Sequence, residues 1–108
     1  MSSQMSPLER ALLELVAAEN WSGFRVDTLR VKQRQDTGAG RYTYLEDDQR
    51  QALLNGTYTA QGKLLQIEGV KDGMAFMVDV ANGIINYLEI AVYGNESWNG
   101  VERAWKIV

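Results

Sequence analysis

Two dipeptides constrain this chain more than anything else in it: Asp72-Gly73 and Asn82-Gly83, set on either side of an alternating segment. Asp-Gly and Asn-Gly are the preferred pairs for two-residue hairpin turns, where both positions take positive φ. Between them, Met74, Phe76, Val78 and Val80 recur with a period of two, as on one face of a strand. A meander is therefore expected, with strands over Lys63–Val70, Met74–Val80 and Ile84–Tyr93. With each dipeptide in the central turn positions, Val78 falls opposite Tyr87 and Ile67, and Phe76 opposite Glu89 and Gly69. Asp79 falls opposite Asn86 and Gln66, and Met77 opposite Leu88 and Glu68. One face then holds Leu65, Ile67, Phe76, Val78, Val80, Ile85 and Tyr87, and is expected to form the core. The other holds Gln66, Glu68, Met77, Asp79, Asn86, Leu88 and Ile90. That amphipathic face is either covered in part by other segments or presented to a partner. A slip of one residue would exchange the two faces. Glu89 is the odd member of the apolar face. It sits at an edge, hydrogen-bonds Tyr87, Tyr93 or a backbone amide, or is a carboxylate whose pKa burial raises.

The N-terminal half supplies a cover for that core. Ser6 is placed to cap a helix, Pro7 suits its first position, and Glu9 completes a capping box. Leu8, Leu12, Leu15 and Val16 follow at helical spacing with Ala11 beside them, while Glu9, Arg10, Glu14 and Glu19 lie largely off the stripe. The helix is expected to end near Glu19 or Asn20. Residues 1–5 read as a loose tail. Arg25–Arg34 reads as a strand whose apolar phase slips between Val26 and Leu29, which implies a bulge or a late start. Asp36-Thr37-Gly38-Ala39-Gly40 is turn chemistry, and Arg41–Leu45 is the returning strand. Asp48 with Gln51 suits the cap of one helical turn through Leu53-Leu54, stopped by Asn55-Gly56. Val101–Val108 is a final strand or short helix. No repeat or linker divides the chain, so 1–108 is expected to be one α+β domain: an N-terminal helix on an antiparallel sheet of five to six strands.

The chain has no cysteine and no histidine. That excludes disulfides, thiolate nucleophiles, cysteine-based zinc sites and imidazole bases. There is no P-loop or dinucleotide fingerprint, and Gly38-Ala39-Gly40 reads as a hairpin turn. Asp47-Asp48 carries no EF-hand spacing and reads as a solvated acidic connection. No catalytic residues and no cofactor or metal are expected. The net charge is −3, and its excess lies late: residues 1–45 carry six Lys/Arg against five Asp/Glu, residues 46–108 five against nine. An acid balance of this kind argues against general nucleic-acid binding and fits either a solvated surface or a face for a basic partner. Arg30, Lys32 and Arg34 are expected to share a strand face beside Tyr42 and Tyr44. A nucleic-acid platform there is outweighed by a solvated outer row, given Asp27, Asp36 and the overall charge. No segment is long and apolar enough to span a bilayer. Neither a signal nor a transit pattern is recognised, so the expected location is the cytoplasm, away from membranes.

The stretch Phe76-x-Val78-Asp79-Val80-x-x-Gly83-x-Ile85-x-x-Leu88-Glu89-Ile90, ending in Tyr93-Gly94, resembles the closing hairpin of small bacterial immunity proteins. These are encoded beside polymorphic or contact-dependent toxins. The resemblance implies a non-catalytic, stoichiometric inhibitor that covers the active or substrate-binding surface of a cognate toxin, such as a nuclease with a basic groove. Candidate partner-binding residues are Glu68, Asp79 and Asn86 on the amphipathic face, and Glu46, Asp47, Asp48, Glu96 and Trp98 from loops. Trp98, in a polar loop, either folds back as a lid on the core or stands out as an anchor; Trp21 and Trp105 read as core or core rim. Two other readings stay open. One is a small-ligand-binding or enzymatic domain with a cavity near Tyr87, Tyr93 and Glu89. The other is self-association through an edge strand.

Overall fold

The computed structural model describes residues 4–47 and 52–108. Helix α1 runs over Pro7–Asn20. Its capping box is complete: the Glu9 amide donates to the Ser6 hydroxyl at 3.2 Å, and the Ser6 amide donates to the Glu9 carboxylate at 2.8 Å. The Asn20 side-chain amide closes the other end, donating to the carbonyls of Val16 and Thr59. The buried stripe is Leu8, Glu9, Leu12, Leu13, Val16 and Ala17. It is rotated from the expected one. Glu9 joins it and Leu15 is only partly buried, because the sheet beneath provides cations and a hydroxyl for the carboxylate. Of the expected tail, residues 1–3 lie outside the described residues. Met5 packs against the core, and the Gln4 carbonyl accepts from Arg34.

A single 3₁₀ turn over Val26–Thr28 follows. The phase slip before Leu29 is thus a late strand start. Strand β1 spans Leu29–Asp36 and β2 spans Gly40–Asp47. Their register shifts once, leaving Lys32 unpaired between Val31↔Leu45 and Gln33↔Tyr44. This bulge breaks the expected alternation of Arg30, Lys32 and Arg34. Arg34 pairs with Thr43 and turns toward the helix, while Arg30 pairs with Glu46. The three cations therefore do not form one row.

Strands β3 (Gly56–Tyr58), β4 (Leu65–Ile67), β5 (Met74–Ala81), β6 (Ile84–Val92) and β7 (Trp105–Ile107) complete the sheet. Seven antiparallel strands are present among the described residues, more than the five to six expected, in the order β1-β2-β6-β5-β4-β7. The seventh is β3. It lies with β4 along one edge of β5, Gly56–Tyr58 against Val78–Val80 and Leu65 against Met74. The helical turn expected at 48–54 falls partly outside the described residues. Ala52–Leu54 has no regular structure; there the Leu53 amide donates to the Gly83 carbonyl and the Asn55 side chain accepts from the Gly83 amide.

The second hairpin is as expected: Asn82 and Gly83 take φ of 56° and 77° between the paired Ala81 and Ile84. The first is not. β4 meets β5 only at Leu65↔Met74, and Ile67 pairs with Trp105 instead of facing Val78. The Glu96 carboxylate accepts from the amides of Lys71 and Asp72, so this turn is held by a side chain and not by a continuous ladder.

The β5–β6 register carries the larger correction. Val80 pairs with Ile85, but Asp79 pairs with Tyr87, Val78 with Leu88, Met77 with Glu89 and Phe76 with Ile90. Asn86 is the extra residue of a bulge. Beyond it every side chain of β6 changes face. Leu88 and Ile90 enter the core at 0% exposure, and Tyr87 and Glu89 leave it. The inward face of Leu65, Ile67, Phe76, Val78, Val80 and Ile85 is otherwise as expected and forms one cluster with Leu8, Leu12, Leu13 and Val16 of α1.

Candidate functional site on the open sheet face

The helix lies on one side of the sheet. The thinnest dimension of the fold, 21 Å, holds one helix layer and one sheet layer. The other side is built from residues that alternate with the core. Their order follows from the ladders. One row runs Gln35, Tyr42, Glu89, Met77. The next runs Gln33, Tyr44, Tyr87, Asp79, Thr57. Tyr42, Tyr44, Tyr87, Met77, Asp79 and Glu89 are all half-buried, as expected of side chains that lean on each other with no layer above.

Three tyrosines form the centre. Tyr87 meets Tyr42 and Tyr44 edge-on, with ring centroids 5.3 and 5.8 Å away, and Tyr42 and Tyr44 lie 6.2 Å apart at a shallow angle. These are favourable aromatic geometries. The neighbouring Glu89 carboxylate, as a hydrogen-bond acceptor and as a charge, holds the Tyr42 phenol above its ordinary pKa. Burial, with Asp79, Glu89 and Tyr44 nearby, raises Tyr87 as well. Both phenols thus remain protonated donors at neutral pH. The Asn86 side chain donates to Asp79 at 3.2 Å.

Four of the chain's arginines are engaged elsewhere. Arg10 pairs with Glu14 and Asp27, Arg34 with Glu9, Arg41 with Asp36 and Glu102, and Arg103 with Glu68. Among the described residues no cation pairs with Asp79 or Glu89. The face is therefore aromatic at its centre and negative around it.

The structure gathers some of the expected partner-binding residues and scatters others. Asp79 and Asn86 touch. Glu46, Asp47 and Asn86 line a hollow of about 600 Å³ beyond the point where the β2–β6 ladder ends at Tyr44–Tyr87, with Lys32 and Leu45 in the same wall. Asp48 lies outside the described residues. Glu68 stands on the far side of the sheet path, just past β4, beside Arg103. Glu96 is occupied by the Lys71 and Asp72 amides.

Trp98 is buried, with 4% exposed; its indole donates to the Val101 carbonyl and the Arg41 guanidinium stacks over it at 4.9 Å. It is the lid of the core and not an exposed anchor, because its backbone amide is tied to Gly38 and Arg41 needs a covered surface. Glu89 lies on the open face beside Met77 and Tyr42, and not on the apolar face. Tyr93 is exposed beyond β6, and the hollows described on the surface are lined by residues other than Tyr87, Tyr93 and Glu89. Tyr42 and Tyr44 were visible in the sequence only as neighbours of a basic strand. Their actual partner, Tyr87, is brought to them by the Asn86 bulge.

Comparison of the chain with protein-family models, characterised proteins and solved structures finds no match.

Proposed function

We propose that this protein is a non-catalytic binding module that docks a basic protein surface on its open sheet face. The observation that carries the reading is the uncovered tyrosine cluster, flanked by carboxylates that no cation of the described chain neutralises. Tyrosines offer large contact area at low conformational cost and are enriched among residues that dominate binding energy. Surrounding carboxylates speed encounter with a positive partner and disfavour wrong ones. The resemblance of the Phe76–Gly94 hairpin to immunity proteins gives the role its specific form: a stoichiometric inhibitor that covers the basic substrate surface of a cognate toxin.

The test is co-expression with the product of the adjacent reading frame. A stoichiometric complex on gel filtration, with rescue of growth where that product is toxic, is expected. Tyr44→Ala or Tyr87→Ala should then weaken the complex by about 30-fold or more, the scale of a hot-spot residue. Absence of both complex and rescue, or full affinity in both tyrosine variants, would overturn the reading.

A further inference from the structure

The ladder between β5 and β6 sets four side chains at the corners of a square on the open face. Met77 stands opposite Glu89, and Asp79 stands opposite Tyr87. The two carboxylates therefore occupy one diagonal, and the thioether and the phenol ring the other. Diagonal neighbours across an antiparallel pair stand about 7–8 Å apart. The square exists only because of the Asn86 bulge. Without it Asn86 and Leu88 would stand where Tyr87 and Glu89 now stand.

Each carboxylate has a polar neighbour outside the square. Asn86 donates to one oxygen of Asp79, and Tyr42 stands beside Glu89 across the β2–β6 ladder. A carboxylate accepts at about four lone-pair positions, so each keeps acceptor capacity. No salt bridge of the described residues reaches either, whereas Glu9, Glu14, Asp27, Asp36, Glu68 and Glu102 all face an arginine.

From this arrangement the geometry points to an arginine seat: the square of Met77, Asp79, Tyr87 and Glu89 receives the guanidinium of one arginine from a partner protein. The inference rests on the open face being the docking surface, and it names the side chain that the surface selects. A guanidinium is planar and offers five donors in a fixed fork, so it bridges two separated carboxylates while its face lies on an aromatic ring. Tyr87 provides that ring and Met77 an apolar, polarisable floor. An ammonium is a compact point charge. It satisfies one carboxylate at a time and stays more strongly hydrated. The seat therefore discriminates arginine from lysine, and net charge alone does not.

The test uses the full chain, labelled with ¹⁵N, and two probes of equal charge and length, octa-arginine and octa-lysine. Octa-arginine should shift the amides of Met77, Asp79, Tyr87 and Glu89 and bind about tenfold or more tighter than octa-lysine at the same ionic strength. The double variant Asp79→Asn/Glu89→Gln replaces half-exposed groups by isosteres, so it should keep its fold, checked by its amide spectrum. It should lose at least tenfold of octa-arginine affinity and most of the preference over lysine. Equal binding of the two peptides overturns the seat, as do shifts centred on Glu46 and Asp47 or full binding by the double variant.

The wider docking reading fails by a different result. If the partner complex is lost in Tyr44→Ala but survives the double variant, the docking face stands and the arginine seat falls. If octa-arginine binds at the square while Tyr44→Ala and Tyr87→Ala leave the partner complex intact, the partner docks elsewhere, and the docking face and the seat's part in it both fall.

Discussion

Glu9 is the residue on which the two layers meet. It is fully buried, yet it accepts from Arg34 Nε and Nη2 at 2.8 and 2.7 Å, from the Thr43 hydroxyl at 2.7 Å and from the Ser6 amide at 2.8 Å. Burial alone would raise its pKa, but the bonds from Arg34, Ser6 and Thr43 outweigh it and hold the carboxyl below its ordinary value of 4.5. A depressed acid stabilises the fold above its unfolded pKa and loses that contribution as pH falls through the folded one. Stability should therefore decline below about pH 4.5 in the native chain, and Glu9→Gln should lack this component of the decline. At pH 7 the same substitution should cost about 1–3 kcal/mol in urea unfolding, since a charge-assisted set is replaced by neutral bonds beside Arg34. Arg41, 3.7 Å from the Glu9 carboxylate, does comparable work at the start of β2. It donates to Asp36 at 2.9 Å, to Glu102 at 2.7 Å and to the Gly100 carbonyl, and it covers Trp98. An ammonium cannot reproduce that fork and stack. Arg41→Lys should free the 98–102 segment before the rest of the fold, seen as faster hydrogen exchange at the Trp98 amide. The capping role of Glu9 was legible in the sequence; its burial was not. A carboxylate at that helical position reads as solvent-facing until Arg34 and Thr43, distant in sequence, are brought over it.

At the level of the strands, what was legible divides at Asn86. The alternation of Met74–Val80 and the Asn82-Gly83 turn led to the right pairing of Ala81 with Ile84 and Val80 with Ile85. A bulge leaves the dipeptide signals untouched, so nothing local announced that the phase would invert from Tyr87 onward. One clue was present: Ile85, Leu88 and Ile90 cannot all share a face in a regular strand, and an apolar spacing of three followed by two fits an inserted residue. The Asp72-Gly73 signal misled for a different reason. Gly69 and Gly73 both take positive φ, and Glu96 holds the intervening amides, so the chain turns through a longer path than a two-residue hairpin. The β2–β6 seam also depends on a small residue. A Cβ on Gly40 would run into the Ile90 carbonyl oxygen and come within 2.9 Å of the Ala91 Cα, both backbone atoms that cannot rotate away. Gly40→Ala should therefore destabilise by about 1–3 kcal/mol, the scale of overpacking. Chemical denaturation would check this, with Gly62→Ala as a contrast: no heavy atom lies within 4 Å of a Cβ there, and only its positive φ of 74° opposes a side chain.

Across the whole molecule, the core and the proposed docking surface fall on opposite sides of one sheet. The core face carries the apolar cluster and the Glu9 network; the open face carries tyrosines and carboxylates that contribute little to holding the fold. Substitutions on the open face should therefore separate the two properties. Tyr44→Ala removes a half-exposed ring that touches mainly Tyr87 and Tyr42, so thermal unfolding should change by no more than about 1–2 kcal/mol. Its effect on a basic partner should appear in dissociation, because an aromatic anchor acts after contact is made. Asp79→Asn should behave differently. It alters the field that the approaching partner meets, so it should slow association and flatten the dependence of the association rate on salt. Surface plasmon resonance at two or more ionic strengths distinguishes these outcomes. A tyrosine variant that slows association as strongly as Asp79→Asn, with dissociation unchanged, would show that the cluster does not contact the partner and that the face acts through its charge alone.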